Sequence, residues 1–121
     1  MNKYKGTPED IHSRIYNFVV NCFKNVVKKI PKTTENFPII GQISSSLTSI
    51  GANDQEADGA STKKDFIAKY YIVKKEAKET IYWLSIIKDC NLFTAVIIDP
   101  YIKECHEILM IVSKIINNTK Y

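Results

Sequence analysis

Two histidines, three cysteines and thirteen carboxylates are the side chains with which this chain could bind a metal or run acid–base or nucleophilic chemistry. Metal-carrying helix bundles use inward Glu residues together with two Glu-x-x-His pairs. Glu9 and His12 have that spacing once, with Glu9 in an exposed first turn, and His106 has Lys103 three positions before it, so the second pair is missing. Cys105 and His106 are adjacent, and neighbours on a helix point about 100° apart, which separates a nucleophile from its base. Cys105 also falls on an apolar stripe, where burial keeps a thiol protonated and inert. Gly51 and Gly59 are isolated, so no glycine-rich loop cradles a phosphate. The reading is a non-enzyme with no catalytic residue, no metal, no cofactor and no evident small-molecule substrate.

Basic residues carry the more promising chemistry. Lys64, Tyr71, Lys75, Lys78 and Tyr82 fall within roughly 60° of one another on a helix turning about 100° per residue. Ammonium groups for phosphates and rings for unstacked bases are what single-stranded RNA binding uses. Arg14, Asn17, Asn21, Lys24 and Lys28 recur at three- and four-residue intervals and form a second polar face. The alternative for both stripes is plain: tyrosines shield the edge of a core or a subunit contact, and lysines snorkel into water.

These residues must be positioned by helices. Thr7-Pro8-Glu9-Asp10 is a start signal, with Thr as cap, Pro at the first helical position and acids in the first turn. Apolar residues at 11, 15, 18, 22 and 26, and again at 16, 20, 23, 27 and 30, predict a first helix over 8–30. Together the two sets cover roughly 200° of its circumference, more than one bundle core needs. Pro31 to Pro38 breaks it. A second helix over 38–58 has Ile39, Ile40, Ile43, Leu47, Ile50 and Ala57 as its stripe, and small residues (Gly41, Ser45, Thr48, Ser49, Ala52) opposite. Gly59-Ala60-Ser61 ends it, with Ser61 as the next cap. The third helix, 62–90, carries Phe66, Tyr70, Val73, Ala77, Ile81 and Leu84 on one face, and Ile72, Trp83 and Ile86 on another. The fourth, 94–118, begins at Thr94 or at Asp99-Pro100. Short connections imply an all-α, antiparallel up-down-up-down four-helix bundle as a single domain over 1–121. The surplus apolar surface implies a homo-oligomer.

Composition agrees. Of 121 residues, 45% are apolar and 25% charged, with four Gly and four Pro, which excludes a disordered tail and a turn-rich β-sandwich. No apolar run is long enough to span a membrane, and the first residues lack the apolar region of a secretory signal. Cys22, Cys90 and Cys105 read as reduced core thiols, and the expected location is the cytoplasm. The net charge of +4 is uneven: residues 33–60 contain four acids and no Lys or Arg, while 61–90 contain seven Lys against four acids.

Several stretches carry a family likeness. Ser49-Ile50-Gly51-Ala52-Asn53-Asp54-Gln55-Glu56-Ala57, Ser61-Thr62-Lys63-Lys64-Asp65-Phe66-Ile67 and Glu76-Ala77-Lys78-Glu79-Thr80-Ile81-Tyr82-Trp83-Leu84 form its centre, with Ile30-Pro31-Lys32-Thr33 and Ile39-Ile40-Gly41-Gln42 upstream. In these blocks the chain resembles the four-helix bundle proteins encoded in intervening sequences of 23S ribosomal RNA genes. The resemblance implies a ring-like homo-oligomer, a pentamer, and no established activity. Related pentameric bundles that accompany retroelement reverse transcriptases bind RNA, which makes RNA a candidate partner by analogy. Members of the family often have Arg where Ser45 stands and Tyr-Arg where Asp54-Gln55 stands, so an anion-binding face there would be weakened here. The matched Asn53 and Glu56 are read as a polar cluster reaching Lys63, Lys64 or Asp65 near Gly59, or else as hydrogen bonds that only tie two helix ends together.

Overall fold

The computed structural model describes residues 10–120, and all of its regular structure is helical. Asp10 caps α1 (Ile11–Asn25), its carboxylate accepting the backbone N–H of Ser13 at 2.7 Å. The cap expected at Thr7 lies outside the described residues. α1 also stops earlier than expected. After Asn25 the chain tightens into a 3₁₀ turn, Val27–Lys29, and Ile30 is extended, with ψ 128°. Pro31 accounts for the extended Ile30, since its ring disfavours a helical residue before it.

α2 (Phe37–Asp58) has Pro38 in its first turn, where no N–H is needed. α3 (Lys63–Asp89) is capped by Thr62, not by Ser61: the Thr62 hydroxyl accepts from the Asp65 N–H at 3.0 Å. α4 (Ala95–Thr119) starts after Thr94 and carries Pro100 within it. Between α3 and α4, Asn91 adopts a left-handed conformation, φ 59°. Its N–H bonds the Lys88 carbonyl and the Leu92 N–H bonds that of Ile87, both at 3.0 Å, so the turn closes the orphan carbonyls of α3.

Cross-helix contacts fix the direction of every neighbour. Asp54 meets Tyr70 while Ser46 meets Thr80, so α2 and α3 run oppositely. Ala77 meets Cys105 and Lys88 meets Asp99, which reverses α4 against α3. Asn25 reaches Tyr101 while Arg14 reaches Glu104 and Glu107, and His12 reaches Asp54 and Asp58 while Val19 lies beside Gly51, which sets α1 antiparallel to both α4 and α2. The result is an up-down-up-down bundle whose diagonal pairs stay apart.

Its core is the predicted stripes. Ile15, Phe18, Cys22 and Val26 of α1 and its extension pack with Ile43, Leu47 and Ile50, with Val73, Ala77 and Leu84, and with Ile108 and Val112. At roughly 1.5–3 kcal/mol per large apolar side chain, this stripe dominates the driving force for folding. Burial pushes the Cys22 thiol up to about 12 and raises Cys105 as well. Cys90 departs from expectation: it caps α3 with its backbone and its side chain is exposed. Ile72, Trp83 and Ile86 are half-buried, because α3 is flanked by both α2 and α4.

The turn at Asn91 can be tested directly. Asn91→Ala should cost about 1 kcal/mol, since a Cβ without a local hydrogen-bonding tip disfavours this φ, and Asn91→Gly should restore the loss. Denaturant unfolding of the two variants checks it.

Candidate functional site

α3 presents the lysine–tyrosine stripe to solvent. Lys64, Lys75 and Lys78 are exposed, Tyr71 is 42% exposed and Tyr82 56% exposed. Tyr71, Lys74, Lys75 and Lys78 line a shallow concavity of about 260 Å³. Among the described residues none of these four lysines forms an ion pair within 4 Å. The Lys120 ammonium, from the end of α4, lies 5.3 Å from the centre of the Tyr71 ring. Tyr82 stands edge-on to Trp83, ring centres 4.9 Å apart. The stripe offers point charges beside partly free rings, a surface suited to a polyanion with unstacked bases.

The stripe expected on the first helix does not survive as one face. Arg14 donates from Nε and Nη2 to Glu104, both at 2.8 Å, and from Nη2 to Glu107 at 2.6 Å. Those carboxylates raise its pKa further and occupy its fork, so Arg14 joins α1 to α4 instead of meeting solvent phosphates. Lys24 is exposed on α1, but Lys28 sits on the 3₁₀ turn, where the helical period has ended, and its carbonyl accepts from Lys32.

The polar cluster expected around Asn53 also resolves differently. Asn53 Nδ2 donates within its own helix, to the Ser49 carbonyl at 2.9 Å and to Ser49 Oγ at 3.0 Å. Glu56 pairs with Lys69 at 3.0 Å, not with Lys63 or Lys64, and Asp65 serves the first turn of α3. Only Glu56 links α2 to α3, through a different lysine, and among the described residues no contact gathers Asn53, Glu56, Lys64 and Asp65 into one cluster.

The functional-looking cluster that sequence reasoning misses is centred on Asp54, which is 1% exposed. Tyr70 donates its hydroxyl to Asp54 Oδ1 at 2.8 Å, and His12 Nδ1 lies 2.9 Å from Oδ1 and 3.1 Å from Oδ2. The other imidazole nitrogen lies 3.3 Å from Asp58. Burial pushes the Asp54 carboxyl up, opposed by the hydrogen bond from Tyr70 and the charge of His12. Burial, followed by the neighbouring carboxylate, pushes the Tyr70 phenol up too. Asp54 is therefore no part of a surface anion site. The signal is the spacing Ile43, Leu47, Ile50, Asp54, Ala57, which places an acid squarely on the core stripe. A carboxylate orienting an imidazole is half of an acid–base pair, but here Asp58 takes the second nitrogen, which leaves no free ring nitrogen for a substrate. Among the described residues no three metal-ligating side chains converge.

Beside this cluster, α1 and α2 leave an apolar groove. One part, about 250 Å³, is lined by Tyr16, Val19, Val20, Gly51 and Ala52; a second, about 310 Å³, continues past Val20 to Phe23 and Lys24. A Cβ at Gly51 would stand 3.5 Å from Val19, so the glycine sets an ordinary contact and not a tight one.

Residues 9–114 match the family model of the 23S rRNA-intervening sequence protein. Among solved structures, a protein of unknown function from the S23 ribosomal protein family of Bacteroides thetaiotaomicron is 33% identical, with a TM-score of 0.81. The match covers 88% of this chain and 98% of that one. No curated protein matches significantly.

The Asp54 cluster generates a stability prediction. Because Asp54 binds its proton more tightly folded than unfolded, its contribution to stability falls as pH rises from the ordinary 3.8 through the raised folded value. Asp54→Asn should flatten that part of the stability–pH curve while keeping an acceptor for Tyr70. Asp54→Ala should cost about 2–4 kcal/mol at neutral pH, since it strands the phenol and the imidazole. Urea unfolding from pH 4 to 8 separates the two.

Proposed function

The chain belongs to the 23S rRNA-intervening sequence protein family, and on that footing we propose that it is a non-enzymatic, cytoplasmic four-helix bundle. In this reading it assembles into a homo-oligomeric ring, a pentamer, and binds RNA through the basic face of α3. The observation that carries the RNA reading is the concavity of Tyr71, Lys74, Lys75 and Lys78, whose lysines are free of ion pairs among the described residues, with Lys64 and Tyr82 extending it along the same helix. A ring repeats this face in every subunit, and multivalency turns weak phosphate contacts into useful affinity with little sequence preference. The apolar groove between α1 and α2 supports self-association. It equally suits the rival reading, a protein-interaction scaffold with no nucleic-acid ligand. The free thiols support a reducing compartment.

A fluorescence titration with single-stranded RNA at low and moderate salt decides between the two. Binding should weaken steeply with salt, and Lys75→Glu with Lys78→Glu should lower affinity at least tenfold while helicity and mass stay unchanged. The salt slope should fall by about 0.7 for each phosphate of the single strand that is no longer neutralised. Tyr71→Ala and Tyr82→Ala should weaken binding if bases stack there. No binding at low salt leaves the scaffold. Light scattering coupled to size exclusion tests assembly: a clean 13.9 kDa monomer at tens of micromolar overturns it.

A further inference from the structure

We propose that the α1–α2 groove is filled by the outer face of α4 from a second copy of this chain, with Met110 as the side chain that enters it. This contact rests on the self-association proposed above. The groove is apolar, lined by Val19, Val20, Gly51 and Ala52, with nothing among the described residues covering it. Met110 is an apolar side chain standing in solvent midway along α4, 60% exposed. An unbranched thioether is well suited to an irregular apolar slot.

Height along the bundle selects Met110. A ring built by rotation about an axis parallel to the helices leaves height unchanged, so the two complementary patches must be level. Val19 of α1 faces Gly51 of α2, the Asp54–Tyr70 and Ser46–Thr80 bonds put Gly51 level with about residue 74 of α3, and the Cys105–Ala77 bond ties that level to α4. At about 1.5 Å per residue, counting back along antiparallel helices puts Val19 level with residue 108, within one turn of Met110. Val96 and Ile97 lie at the loop end of α4, and Phe37 opens α2, so these exposed apolar side chains sit away from the groove's height. Tyr71 lies near the right height but belongs to the lysine concavity and has Lys120 over its ring.

Charge agrees with the same register. Lys114, exposed one turn beyond Met110, lies level with His12, which is joined to Asp54 and Asp58 at the end of α2. Docking Met110 in the groove brings the Lys114 ammonium toward the exposed carboxylate of Asp58, which lies on the α1 side of a helix that carries no Lys or Arg. At the other end Lys103 and Lys24 come level and repel, so the contact is anchored in its Met110–Lys114 half. Groove and ridge are different patches, which makes the interface head-to-tail, the kind that closes into rings.

The test uses the full chain in a Cys90→Ser background. Ala52→Cys combined with Met110→Cys should, under mild oxidation, give a ladder of covalent multimers on a non-reducing gel, and each substitution alone should give monomer. Met110→Lys should shift the assembled mass to 13.9 kDa with helicity unchanged, since both positions are exposed. An assembly that keeps its mass with Met110→Lys and forms no ladder overturns this contact while the assembly reading stands. A wild-type monomer overturns both.

Discussion

A carboxylate with 1% exposure is the costliest group in this fold, and the bundle is arranged around meeting its needs. Taking one ionised carboxylate out of water costs several kcal/mol unless donors replace the lost hydration. Asp54 draws those donors from two different helices, the phenol of Tyr70 on α3 and the imidazole of His12 on α1. Sliding either helix by one turn would strand the charge, whereas an apolar stripe alone tolerates such a slip at far smaller cost. α4 is registered by other polar ties, the fork of Arg14 on Glu104 and Glu107 and the Lys88–Asp99 pair. The apolar core supplies the bulk of the stabilisation; these few polar contacts select one alignment of the helices.

The same pairing explains why a basic face exists at all on a chain with thirteen acids. Asp54 and Asp58 are taken by His12, Glu104 and Glu107 by Arg14, Glu56 by Lys69 and Asp99 by Lys88. Six acids are thus committed to holding helices together, and among the described residues no carboxylate comes within 4 Å of the ammonium of Lys64, Lys74, Lys75 or Lys78.

How much of this the sequence discloses depends on the range of the interaction. Helices and their core faces are local: Ile15, Phe18 and Cys22 announce themselves by spacing, as do Ile43, Leu47 and Ile50, and the capping turns are readable within a residue or two. Spacing alone puts Val26 to Ile30 in a helix because periodicity continues through the 3₁₀ turn, and Pro31 marks only where Ile30 turns extended. The α3 stripe is where its spacing puts it, since exposed lysines need no partner to settle their position. Arg14 and Glu56 mislead because a charged side chain looks the same in sequence whether it faces water or a carboxylate ninety residues away. Asp54 lies on the core stripe in full view. Its meaning depends on Tyr70 and His12, whose arrival no local pattern specifies.

The single tryptophan sits where an optical consequence follows. The indole of Trp83 is half-buried, its N–H is enclosed without an acceptor among the described residues, and the exposed ring of Tyr82 meets it edge-on. Poorly solvated indoles emit at short wavelength, and light absorbed by a tyrosine in contact with one is passed on to it. The chain therefore carries its own fluorophore just beneath the outer surface of α3, coupled to an aromatic antenna that faces solvent. A molecule settling against Tyr82 would alter that emission without any dye having been attached.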